Sequence, residues 1–268
     1  MDQFSSRANH EIDYKIIGEE MQYVEIELDP NETAIAEAGS FLLMDDGIEM
    51  QTIFGDGATQ NQGIMGKLFS AGKRLLTGES LFMTAYTNLA QGKKRVSFAS
   101  PYPGKIIPLD LQQLDGRIIC QKDSFLCAAK GVSIGIEFQR KLGTGLFGGE
   151  GFIMQKLEGD GMAFVHAGGH VFERYLTPGE VLKVDTGCLV AYSSSVDFDI
   201  QFIGGIKNSI FGGEGLFFAT VRGPGKVWLQ TLPISRLASR IMSYGTFKRK
   251  EEGSILGGIG NMLDGDGY

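Results

Sequence analysis

Glu79, Glu150 and Glu214 recur in one glycine setting, reading Leu76-Thr77-Gly78-Glu79-Ser80-Leu81-Phe82, Phe147-Gly148-Gly149-Glu150-Gly151-Phe152-Ile153 and Phe211-Gly212-Gly213-Glu214-Gly215-Leu216-Phe217. Two kinds of chemistry suit such a residue. Three carboxylates converging on a common axis would hold a hard cation through oxygen. Alternatively, each Glu accepts backbone N–H bonds from its own turn. A catalytic acid is normally needed once, whereas a structural acceptor is needed in every copy. Recurrence therefore favours the structural role, and nothing in the spacing shows that the three side chains converge. These are repeat-motif residues, structural or ligand-binding, and no metal, cofactor or catalytic residue is expected.

Other chemistry-bearing patterns carry less. Gly143-Thr144-Gly145-Leu146-Phe147-Gly148 fits the dinucleotide fingerprint, but a second strand pattern follows it where a phosphate-binding helix N-terminus is required. His166 and His170 have the spacing of a helical zinc pair, yet Ala167-Gly168-Gly169 between them opposes a helix, so exposed strand-end residues are expected. Cys120, Cys127 and Cys188 lie in apolar runs without CxxC spacing or an evident base, which predicts buried free thiols in a reducing compartment. Asp45-Asp46-Gly47 and Asp264-Gly265-Asp266-Gly267 lack the terminal Glu of a calcium loop and read as turns.

The elements that position the Glu residues form an internal repeat. Phe211 follows Phe147 by 64 positions (147 to 211), and the same offset carries Gly159-Asp160-Gly161 onto Gly223-Pro224-Gly225 and Phe164 onto Trp228. Upstream, Ser40-Phe41-Leu42-Leu43, Ser124-Phe125-Leu126-Cys127 and Gly187-Cys188-Leu189-Val190 align. Three units result, about 21–103, 104–168 and 169–232, within a single β-rich domain spanning 13–242. Inside each unit, apolar residues alternate over short runs between turns, as in Val196, Phe198, Ile200 and Phe202, giving five or so strands per unit. The expected fold class is all-β, with antiparallel units arranged as sandwiches, barrels or a β-roll.

Two segments depart from this pattern. Over 64–76, Ile64, Met65, Leu68, Phe69, Leu75 and Leu76 fall on one helical face opposite Lys67, Ser70, Lys73 and Arg74, predicting a short basic amphipathic helix. Over 233–244, Pro233 precedes Ile234, Leu237, Ala238, Ile241 and Met242 at helical spacing, predicting a C-terminal helix. Beyond it, 245–268 reads as a flexible Gly-rich tail.

Composition sets the outer bounds. Among 268 residues, 43% are apolar and 21% charged, and Gly reaches 39 against only 7 Pro, which fits a globular protein dense in tight turns. The net charge of -7 argues against a general phosphate-binding surface, so no nucleic-acid partner is expected. Met1 to Glu11 is polar and no apolar run reaches membrane-spanning length, which predicts a cytoplasmic location. The loops ahead of each Gly-Glu nevertheless mix large apolar and basic residues. Lys67, Leu68, Phe69, Lys73, Arg74, Leu146, Phe147, Ile210 and Phe211 would form an apolar patch rimmed by cations if the units are related by threefold rotation. Such a patch suits an anionic membrane surface or a protein partner. The competing reading buries the same residues in the core or between subunits.

The Gly-Gly-Glu-Gly-[Leu/Phe]-[Phe/Ile] signatures at 148–153 and 212–217, with Gly78-Glu79-Ser80-Leu81-Phe82 before them and the Gly-rich end, resemble the Altered Inheritance of Mitochondria protein 24 family over about residues 13–242. The resemblance implies a fold of the kind grouped with the trp RNA-binding attenuation protein, built from pseudo-threefold repeats, with trimers among its members. It also implies a role in biogenesis or membrane organisation without a known enzymatic activity. A non-enzymatic scaffold or adaptor forming a homotrimer is therefore expected, cytoplasmic or peripheral to a membrane. The alternative is a ligand- or metal-binding module using the repeated Gly-Glu. Kinship of fold with an RNA-binding ring does not carry RNA binding with it.

Overall fold

In the computed structural model, the described residues are 12–54, 82–140, 151–203 and 216–244. They are all-β apart from short 3-10 turns and one helix, α1, over 234–244, which starts one residue after the sequence expectation because Pro233 supplies the first carbonyl, accepting from the Arg236 and Leu237 amides. The predicted amphipathic helix at 64–76 and the tail at 245–268 lie outside the described residues.

After a leading strand β1 (Asp13–Ile17), the strands fall into three successive sets of six. The first holds β2 (Tyr23–Leu28), β3 (Thr33–Glu37), β4 (Phe41–Met44), β5 (Ile48–Phe54), β6 (Phe82–Asn88) and β7 (Lys94–Ala99). The second holds β8 (Gly104–Asp110), β9 (Arg117–Gln121), β10 (Phe125–Ala129), β11 (Ser133–Arg140), β12 (Phe152–Glu158) and β13 (Met162–Gly168). The third holds β14 (Val171–Leu176), β15 (Val181–Asp185), β16 (Leu189–Ser193), β17 (Asp197–Ile203), β18 (Leu216–Arg222) and β19 (Gly225–Gln230). The sequence suggests five or so strands per unit; the described residues hold six in each.

Pairing repeats with the units. The strand orders are β1-β2-β7-β4 (sheet I), β5-β6-β3-β10-β13-β8 (sheet II), β11-β12-β9-β16-β19-β14 (sheet III) and β15-β18-β17 (sheet IV). Each inner sheet thus joins three strands of one unit to three of the next. The junctions are β3 to β10, where Ala36 faces Cys127, and β9 to β16, where Cys120 faces Ala191. A bulge recurs at Phe125/Cys127, Leu189/Ala191 and Phe41/Leu43. It corrects the sequence alignment of this strand: Leu189, not Cys188, is the counterpart of Phe125 and Phe41.

Three cores lie between the four sheets. Val24, Ile26, Leu28 and Phe98 of sheet I meet Ala34, Tyr86, Leu126 and Phe164 of sheet II. Ile35, Leu109 and Val165 of sheet II meet Ile118, Cys120, Leu157 and Trp228 of sheet III. Phe152, Met154 and Leu229 of sheet III meet Val184, Ile200 and Val221 of sheet IV. This layering explains the sequence patterns. β10, Phe125-Leu126-Cys127-Ala128-Ala129, is apolar and buried throughout because sheet II is covered on both faces, whereas β2 alternates because sheet I is covered on one. Where units meet, backbones come too close for side chains: a Cβ on Gly168 would fall 2.0 Å from the Leu232 carbonyl oxygen.

Candidate functional site

The three Gly-Glu segments connect equivalent strands in each unit: β5 to β6, β11 to β12 and β17 to β18. Each pair is antiparallel and ends in register, at Phe54 with Phe82, Arg140 with Phe152 and Ile203 with Leu216. Glu79, Glu150 and Glu214 lie outside the described residues, as do Lys67, Leu68, Phe69, Lys73, Arg74, Leu146, Phe147, Ile210 and Phe211. The described strands show what carries them. Arg140, the last residue of β11, donates from Nη1 to the Ile200 carbonyl of β17 at 2.6 Å. Phe138 meets Phe198 edge-on with centroids 5.3 Å apart, and Phe152 stacks on Phe198 at 6.1 Å. Ile53 and Met83 of the first hairpin pack in the same core as Ile134 and Leu157 of the second. The strand pairs leading to these segments are therefore neighbours in succession, although they are far apart in sequence.

The histidines do not form a pair. His166 is buried, contrary to the exposed strand-end expectation, because β13 is covered on both faces. Its ring meets Tyr102 at 4.9 Å, its Nδ1 is without a hydrogen-bond partner among the described residues, and burial lowers its pKa to about 4. His170 is exposed and stacks on Phe172. Cys120 and Cys127 are buried, and burial raises both thiols well above the usual range, which disfavours the thiolate. Cys188 departs from the buried expectation: it is half-buried in a 3-10 turn, with Arg236 Nη2 3.7 Å from its sulfur. Among the described residues, no group of three His, Cys, Asp or Glu side chains forms a metal-ligand set.

One ionisable cluster escapes the sequence reading. Burial, followed by the Asp123 carboxylate, pushes Glu37 up to about 7, against an opposing pull from Lys122. Tyr102 is raised by burial and by the Asp123 and Glu37 charges. Glu37 ends β3, the strand that pairs with β10 of the second unit. Its signal in sequence is faint, an acid closing the apolar run Thr33-Ala34-Ile35-Ala36. Desolvation leads each of these shifts, as expected of acids caught at a unit junction.

A repeated antiparallel sandwich whose strand-linking segments carry the Gly-Glu signature defines a class of three-unit β protein. The family model Mitochondrial biogenesis AIM24 matches residues 14–232, and the chain belongs to that family. It is 29% identical over 234 residues to an uncharacterised protein of Streptococcus pyogenes serotype M6, covering 85% of this chain and 89% of the relative. The crystal structure of protein SPYM3_0169 from Streptococcus pyogenes is similar in fold, with a TM-score of 0.67 at 23% identity over 87% of this chain and 99% of that one. Among the described residues, no helix is long and apolar enough to cross a membrane.

Proposed function

We propose that the protein is a non-enzymatic scaffold that assembles as a homotrimer and presents the three Gly-Glu segments to an anionic membrane surface from the cytoplasm. The observation that supports this reading is the adjacency of successive hairpins, anchored by Arg140 on the Ile200 carbonyl and by the Phe138, Phe152 and Phe198 rings. The segments that these strand pairs lead to are rich in Lys, Phe, Leu and Ile. Apolar residues would enter the headgroup boundary while Lys67, Lys73 and Arg74 meet anionic lipid, each cation contributing about 1 kcal/mol near such a surface. Affinity is then modest and falls with salt.

Co-sedimentation with vesicles containing phosphatidylserine, at low and high salt, tests this. Wild type should sediment at low salt and largely remain in solution at high salt, while Phe69→Ser plus Lys73→Glu should fail to sediment at either. Wild type that ignores vesicles at both salts ends the membrane reading and leaves a soluble scaffold with a protein partner.

A further inference from the structure

The strand junction seen twice inside the chain has a third position that is unused among the described residues. Sheets II and III are built by placing the second strand of one unit beside the third strand of the next, β3 beside β10 and β9 beside β16. The corresponding strands left over are β15, of the last unit, and β4, of the first. Among the described residues each is the edge of its sheet, with β15 paired to β18 and β4 to β7. They belong to sheets IV and I, with sheets II and III between them in the order of the cores.

The side chains match the vacancy. Phe41, Leu42 and Leu43 are 39%, 45% and 48% exposed, while their counterparts Phe125, Leu126 and Cys127 are at most 2% exposed, as are Leu189, Val190 and Ala191. β4 therefore carries the continuous apolar sequence of a strand covered on both sides without the covering strand. A bare apolar edge is a template for pairing, and natural proteins normally blunt it with charge. β15 presents Val181, 47% exposed, beside Leu182 and Lys183. Transferring the internal registers, in which Ala36 faces Cys127 and Cys120 faces Ala191, puts Val184 opposite Leu43 and Lys183 opposite Met44. Exposed Asp46, in the turn after β4, then lies two positions beyond the residue facing Lys183, so opposite charges fall near each other and favour this register.

We propose that β15 of one copy adds antiparallel to β4 of a second copy, joining sheet IV of one to sheet I of the other through the same junction that links the units inside the chain. The contact is heterologous, each copy using one surface to give and another to receive, so it repeats until a ring closes. This deepens the scaffold reading above and rests on its assembly; a ring of three is the trimer proposed there.

The test mixes chains carrying Leu43→Cys with chains carrying Val184→Cys, each in a Cys188→Ser background and oxidised with copper phenanthroline. A disulfide-linked species of twice the 29.1 kDa chain mass should form in the mixture and in neither variant alone. Its absence overturns the proposal, as does a doubly substituted chain that closes its disulfide within one 29.1 kDa chain. Light scattering on Leu42→Lys plus Leu43→Lys separates this inference from the assembly reading. Wild type should show a multiple of the chain mass and the variant a single chain, with an unchanged circular dichroism spectrum. A variant that keeps the multiple sinks the edge contact while the assembly stands; a wild type that is a single chain sinks both.

Discussion

β10 and β4 hold the same place in successive units, share the bulge and share an apolar sequence, yet one is wholly buried and the other is largely bare. The difference is not in the strands themselves. β10 has β3 along its open edge and a sheet on either face, whereas among the described residues β4 has neither a covering strand nor a second sheet. Burial in this fold is thus conferred by the neighbouring unit. The residues behind β4 have adapted to that: the register that places Phe164 opposite Cys127 and Trp228 opposite Ala191 places Ser97 opposite Leu43. Aromatic rings fill the position where another unit lies over it, and a small, itself buried hydroxyl stands where, among the described residues, no other unit does.

The largest test of this comparison removes those rings. Phe164 belongs to the core between sheets I and II, and Trp228 to the core between sheets II and III, where its indole N–H also donates to Glu173 at 2.7 Å. Phe164→Ala and Trp228→Ala should each lower unfolding free energy by about 3 to 5 kcal/mol, the cost of losing a buried aromatic and leaving a cavity. Equilibrium urea denaturation measures it. Losses below about 1 kcal/mol for both would mean that the units do not share cores.

A second contrast lies in the acids and bases trapped at the first junction. Glu37, Gln121 and Asp185 are equivalent by register, and burial pushes Glu37 up to about 7. A group whose pKa is raised on folding stabilises fully below its unfolded value of 4.5, and that contribution is lost as pH rises through about 7. His166 has the opposite sign: its pKa falls from 6.5 to about 4, so its contribution is present above 6.5 and lost as pH falls through about 4. Between these limits the two slopes oppose. Glu37→Gln, which installs the amide found at Gln121, should stabilise the protein at pH 8 by on the order of 1 to 3 kcal/mol and have little effect near pH 4. Stability curves of wild type and variant that run parallel across this range would show that Glu37 is not desolvated.

The repeat made most of this architecture legible. A constant offset from Gly159 to Gly223 and from Phe164 to Trp228 gave the second and third units, and alternation along β2 and β17 gave their strands, because both signals are local in sequence. The pairing between units was not legible. Nothing in Thr33-Ala34-Ile35-Ala36 announces that its partner is Cys127 and Ala128, because a strand buried on both faces loses the alternation that marks which side faces inward. The buried state of His166 was hidden for the same reason. For the Gly-Glu segments, equivalence was readable and convergence was not: recurrence of Glu79, Glu150 and Glu214 follows from alignment, while the neighbouring of β11 and β17 depends on a contact between Arg140 and Ile200 across 60 residues.

The smallest expected effect sharpens the comparison most finely, because it concerns a single hydroxyl. Ser97 is fully buried and its Oγ lacks a hydrogen-bond partner among the described residues, although the counterpart positions hold Phe164 and Trp228. A buried hydroxyl without a partner bears its desolvation cost uncompensated, and removing it relieves that cost while opening only a small void. Ser97→Ala should therefore leave stability within about 0.5 kcal/mol of wild type or raise it by up to about 1 kcal/mol, read from the same urea curves. Ser97→Phe, by contrast, restores the ring of the other two units on a face that no sheet among the described residues covers, and should gain little in a single chain. If Ser97→Ala instead costs more than about 1 kcal/mol, the hydroxyl is held by a group on a covering neighbour, and the outer face of sheet I is then as occupied as those of sheets II and III.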